Sequence, residues 1–151
     1  MGNTDGTIEV DVNVTNAGTT AGKDVVELYY SAPYTPGGIE KAAVVLGDFA
    51  KTKLLAPGES ETLTLTLNVE DMASYDYKNA QAYVLDAGDY VITIQTDSHN
   101  VKEGTEPITY TVDQTIVYSG DKTRSGDKSA ASNQLMMCRK CLRIRRQRAW
   151  H

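Results

Sequence analysis

The stretch Val44–Tyr75, VVLGDFAKTKLLAPGESETLTLTLNVEDMASY, decides the fold. In its second half Leu63, Leu65, Leu67 and Val69 alternate with Thr62, Thr64, Thr66 and Asn68. A period of two over so many residues is the signature of a strand with one side on a core and one in water. Pro57-Gly58 suits the two central positions of a type II turn, where the second residue needs a positive φ. Before the turn, Val44–Leu54 reads as another strand. Its apolar spacing (Leu46, Phe49, Leu54) is not strictly two, which predicts a bulge near Gly47. After the alternating run, Asn68 is placed to cap a short helical turn over Glu70–Tyr75, with Glu70 and Asp71 at its positive end.

The same grammar extends outward. Ile8, Val10, Val12 and Val14 alternate with Glu9, Asp11, Asn13 and Thr15, and Asn16-Ala17-Gly18 ends the run. Lys23–Tyr30 is a strand with Val26, Leu28 and Tyr30 on one side. SAPYTPGGIEK, with two prolines and two consecutive glycines, reads as an exposed loop. Tyr83–Leu85, Tyr90–Thr96 and Thr105–Val112 supply further short strands. Six or seven strands with almost no helix predict an all-β sandwich. The expected core is Val10, Val12, Val14, Val26, Leu28, Leu46, Phe49, Leu63, Leu65, Leu67, Tyr90, Ile92 and Ile94.

Composition changes after Tyr118. Residues 119–134 are polar, small and aperiodic, as linkers are. Residues 135–151, LMMCRKCLRIRRQRAWH, hold the chain's only Trp, both cysteines and six of its fifteen basic residues. They read as an out-of-frame or junction-derived tail, disordered like the linker before it. The organisation is therefore a sandwich over 7–118, a linker over 119–134 and a tail over 135–151. The net charge of −5 conceals this asymmetry, because residues 1–134 carry nine basic and twenty acidic groups, a balance of −11. So acidic a body repels phosphate backbones, and no specific nucleic-acid partner is expected. No apolar run approaches the ~20 residues that span a bilayer, so no membrane partner is expected either. The first residues have neither the basic nor the apolar region of a signal peptide. The compartment stays open between cytoplasmic and secreted with a longer parent.

Several stretches together resemble the fibronectin type III-like domain of glycoside hydrolase family 3 enzymes. They are VDVNVTNAG (10–18), GKDVVELYYSAP (22–33), Ile39-Glu40-Lys41, Leu46–Phe49, LAPGES (55–60), MASYD (72–76) and AGDY (87–90). Their order and spacing match over roughly residues 7–97. The resemblance implies a β-sandwich that carries no catalytic residue and braces the catalytic domains of a β-glucosidase-like enzyme, the loop Ser31–Lys41 lending itself to the active-site rim. It also implies one more strand ahead of Ile8, which Met1–Gly6 is too short and polar to supply. The exposed edge of Ile8–Val14 is then expected either to pair with a second copy of the chain or to be filled by residues 113–118 folding back. The linker resembles the one in family members whose fibronectin-like domain precedes the catalytic barrel.

The residues themselves offer little chemistry. Glycoside hydrolysis needs two carboxylates about 5–10 Å apart across a sugar. Glu9 with Asp11, and Glu70 with Asp71, are the nearest pairs, and each reads as a solvated strand face or a match to a helix end. The only histidine of the body, His99, lies in a turn-like segment, and no G-x-S-x-G elbow exists. Cys138-x-x-Cys141 has the spacing of half a zinc site and lacks the other half. No catalytic residue, metal or cofactor is expected. Tyr34, Glu40, Lys41, Tyr75 and Tyr77 are the expected contacts to a partner domain or to sugar. A binding module for plant-derived oligosaccharide is the first alternative to the brace, and a hydrolase in its own right the second.

Overall fold

The computed structural model describes residues 6–127. Nine strands follow in order: β1 (Thr7–Thr15), β2 (Val25–Ser31), β3 (Val45–Lys51), β4 (Ser60–Asn68), β5 (Ser74–Asp76), β6 (Ala82–Leu85), β7 (Gly88–Gln95), β8 (Ile108–Val112) and β9 (Ile116–Tyr118). All pairings are antiparallel and form three sheets, β1–β4, β3–β2–β7–β8 and β5–β6–β9. The two predicted alternations pair with each other, Val10 opposite Leu65 and Val12 opposite Leu63. Their apolar side meets Val26, Leu28 and Tyr30 of β2 and Tyr90, Ile92 and Ile94 of β7 in one core. Leu28 and Leu65 are fully buried, and the third sheet adds Leu85 and Tyr118 to the same cluster. The buried phenols of Tyr30 and Tyr90 donate to the carbonyls of Asp71 and Asp86, so neither hydroxyl is stranded.

The bulge lies where the spacing put it. The pairing of β2 with β3 shifts between Leu28, opposite Asp48, and Tyr29, opposite Leu46, which leaves Gly47 as the extra residue. A Cβ on Gly47 would lie 2.9 Å from Leu67 Cδ1 and 3.3 Å from Leu28 Cδ2. Glycine is needed here because both neighbours belong to the core where the two sheets meet. Since Gly47 points inward, Leu46 and Phe49 share the outer face instead. The expectation that both belong to the core is corrected: Leu46 is 46% and Phe49 65% exposed. Val12 and Leu63 are half-buried at the core's margin.

Three local expectations also change. The helical turn is a 3-10 turn over Val69–Met72 only, because Ala73 returns to extended backbone and Ser74–Asp76 pairs with β6. Asn68 occupies the position before it without a capping bond, and its amide donates instead to the Asp71 carboxylate at 3.1 Å. Residues 116–118 do fold back, but onto β6 (Val84 opposite Val117), not beside β1. The Val69 N–H bonds Gly6 O and the Asn16 N–H bonds Glu59 O. Antiparallel alternation then directs the backbone groups of Ile8, Val10, Val12 and Val14 to β4, and those of Thr7, Glu9, Asp11, Asn13 and Thr15 to the outer edge. Among the described residues no strand covers that edge. The first part of the linker packs against the sandwich: Arg124 lies over the Tyr83 ring and Ser125 bonds the Glu70 carboxylate. The rest of the linker and the basic tail lie outside the described residues.

Gly47→Ala should destabilise the protein by ~1–3 kcal/mol, the range for overpacking a filled core. Chemical denaturation measures it, and an unchanged midpoint would contradict the inward bulge.

Candidate functional site

The loop between β2 and β3 is pinned at its base. Pro33 packs on Gly88, where a Cβ would lie 3.1 Å from the proline ring and where φ is +136°, a value glycine tolerates. Lys41 Nζ donates to the Pro33 carbonyl at 2.7 Å and to Asp86 Oδ2 at 2.6 Å. The Lys41 side chain is 5% exposed and that of Asp86 32%. One cation thus ties both arms of the loop to the β6–β7 turn. At the tip, Gly38 N–H bonds Thr35 O at 2.9 Å and Gly37 has φ +83°, a Pro36-Gly37 turn of type II character. Tyr34, 53% exposed, and the exposed Glu40 project from this loop.

The turn after β5 faces the loop. The Asp76 carboxylate accepts the backbone N–H groups of Lys78, Asn79 and Ala80 at 3.0–3.1 Å. Those bonds, the one from Ala80 foremost, hold its pKa below the usual carboxylate value. An open cavity of about 390 Å³ separates turn and loop, with Ile39 and Lys41 on one wall and Asp76, Val84 and Asp86 on the other. On the other side of β5 from Asp76, Tyr75 meets the Tyr83 ring edge-on, centroids 5.3 Å apart, and its hydroxyl donates to Gln81 O. Tyr77 is 60% exposed, with Lys78 Nζ 5.4 Å from its ring centre.

The structure thus brings Lys41 and the Tyr75–Tyr77 segment to one end of the sandwich. Lys41 serves from inside, as the pin that presents Tyr34 and Glu40. Sequence reasoning missed its counter-ion Asp86, the Asp76 turn and the Arg124–Tyr83 contact. Forty-five positions separate Lys41 from Asp86, and only their opposite charge hinted at a pairing. Three of the four carboxylates weighed for hydrolysis have other partners: Asp11 accepts the Thr64 hydroxyl, Glu70 holds Ser125 and Asp71 takes the Asn68 amide, while Glu9 is exposed on the strand face. His99 is exposed and bonded to Ser98. Among the described residues no three His, Cys, Asp or Glu side chains group as a metal site would require.

Residues 24–98 match the model of the fibronectin type III-like domain. The chain belongs to this family. Its relatives place the domain in glycoside hydrolases. It is 48% identical over 99 residues to Beta-glucosidase A of Butyrivibrio fibrisolvens, 63% of this chain and 12% of that protein. It is 42% identical over 118 residues to a Beta-glucosidase of Ruminococcus albus, 76% of this chain and again 12% of the relative. Among solved structures, a beta-glucosidase from Paenibacillus barengoltzii superposes with a TM-score of 0.65 at 45% identity, over 76% of this chain and 13% of that one. The chain therefore spans about an eighth of the length of these relatives, and that eighth is a non-catalytic fibronectin type III-like module.

Lys41→Met should leave the Pro33 carbonyl and Asp86 without their donor. Asp86 keeps some water, so the expected loss is ~1–3 kcal/mol rather than that of a fully buried charge. Amide exchange in residues 34–43 should accelerate more than in β2 or β7. A loop that stays as protected as in the parent chain would show that the pin is not Lys41.

Proposed function

We propose that this chain is the accessory module of a longer β-glucosidase-like enzyme, where it braces the catalytic domains and holds the 32–44 loop at their junction. The observation that carries this reading is the loop itself. It has an almost fully buried lysine at its base, a rigid Pro-Gly turn at its tip and an exposed tyrosine between them. A segment fixed at both arms and exposed only at its crest suits a contact surface on a scaffold. The relatives' length supports it too, since most of each relative lies outside the matching part.

The test replaces the matching part of the Ruminococcus albus enzyme with residues 7–127 of this chain, beside a version that lacks the module. The replacement should retain activity and resist heat inactivation, while the deletion should inactivate faster. Equal inactivation of the two would remove the brace. Titrating the isolated chain with cello- and xylo-oligosaccharides separates the alternative. Tyr75 and Tyr77 expose their rings, and saturable binding abolished by Tyr77→Ala would make carbohydrate binding the better reading. Turnover of aryl glycosides by the isolated chain would favour a hydrolase.

In isolation, the outer edge of β1 pairs with a second copy. Antiparallel pairing about Val12 sets Asp11 opposite Asn13 and Glu9 opposite Thr15, with no like charges opposed. Sedimentation should show a dimer that Glu9→Pro weakens, because the Glu9 N–H faces the outer edge and proline has none to donate. A monomer at all concentrations would contradict it.

A further inference from the structure

We infer that the outer face of β3 and β2, centred on Phe49 and Leu46, is the seat of a second domain of the same polypeptide in the longer glycosidase. This rests on the accessory-module reading and names the surface that reading leaves open.

The face joins exposed apolar side chains to polar ones that are mostly paired. Across it run two rows fixed by the register: Phe49, Glu27 and Gln95, then Leu46, Tyr29 and Thr93. Within them the Tyr29 hydroxyl donates to Glu27 at 2.8 Å and Gln95 Nε2 to Thr93 Oγ1 at 2.8 Å. Glu27, Tyr29, Thr93 and the Gln95 amide nitrogen are thus spent on one another, while Gln95 Oε1 is buried without a partner. Phe49 and Leu46 stand out at 65% and 46% exposure, and Val25 and Val91, on the same face, are each 37% exposed. Scattered exposed hydrophobes need no explanation, but a contiguous group with an aromatic at its centre marks an interaction surface. The bulge at Gly47 sets both β3 side chains on this face, as bulges do when they re-aim a strand.

The place of the face selects its occupant. Asp48 Oδ2 accepts the Thr66 N–H, and Gly47 lies against Leu67. The patch therefore flanks the end of β4 that runs into the Val69–Met72 turn. Both ends of the described chain come to that turn: Gly6 O bonds the Val69 N–H, and Ser125 bonds the Glu70 carboxylate. In relatives of which this module is 12%, polypeptide attached at either end of it would start beside this patch. An apolar surface of a flanking domain, poor in charge, is the partner that fits.

Hydroxyl-radical footprinting tests the assignment. Phe49 oxidation is compared between the isolated chain and the same module placed in the Butyrivibrio fibrisolvens enzyme. Burial at a domain interface should lower it about five-fold or more, while Leu54, 59% exposed beyond the far end of β3, should react equally in both. Phe49→Ser should leave the isolated chain's melting temperature unchanged and hasten heat inactivation of the hybrid. Equal oxidation of Phe49 in both settings overturns the proposal. Protection that rises with concentration of the isolated chain also overturns it, in favour of self-association. Should the hybrid not fold, footprinting the relative's own residue aligned with Phe49 decides the same question. If deleting the module left the enzyme's heat resistance unchanged, the brace would fall, whereas the oxidation result concerns only where the module docks.

Discussion

Everything in this module depends on how closely two sheets approach at one point. Leu67 of β4 and Leu28 of β2 pack where β3 passes, and β3 passes only because residue 47 has no side chain. Leu28, Leu65, Tyr90 and Ile92 fill the space beneath. Each such side chain contributes about 1.5–3 kcal/mol of burial before entropy. The described residues contain no cysteine, so this contact is not stapled covalently. Backbone ladders join strands only within each sheet, and side-chain packing, with the bond from the Thr66 N–H to Asp48, joins the sheets.

A rigid sandwich gives its loops fixed starting points, and this one fixes loops at both ends. Lys41 ties the 32–44 loop to Asp86, Asp76 closes its own turn, and the strap through Arg124 is tied to Glu70 of the Val69–Met72 turn and to the Tyr83 ring. Hydrogen bonds to charged groups hold more firmly than neutral ones. Polar anchors of this kind fix geometry more than they add stability, since each also costs desolvation. The opposite end is held by charge as well: the Glu59 carboxylate accepts the Ala56 N–H at 2.9 Å and pairs with Lys53 at 2.8 Å, Lys102 pairs with Asp24, and Asp97 accepts the N–H groups of His99 and Asn100.

Much of this was legible in the residues. The alternations of β1 and β4, the Pro57-Gly58 turn and the bulge at Gly47 each follow from a local rule. What a period of two does not reveal is which side faces inward. For β3, with one extra residue and a half-covered position at the sheet's edge, the inward side was read wrongly for Leu46 and Phe49. Strands β5 and β9 are three residues each, too short for any period. Of the site, Lys41 and the three tyrosines were named from loop position and residue type. Asp86 and Arg124 were not, because a pairing between distant positions is set by tertiary packing that no local pattern records.

The central claim is that β1–β4 and β3–β2–β7–β8 form one cooperative body through their shared core. Native-state hydrogen exchange over a denaturant series tests it most directly. The slowest amides of Leu28, Leu65 and Ile92 should merge at one opening free energy, equal to that of global unfolding. If β1 and β4 opened at a distinctly lower free energy while β2 and β7 stayed closed, the sheets would be separate units and the account would not stand.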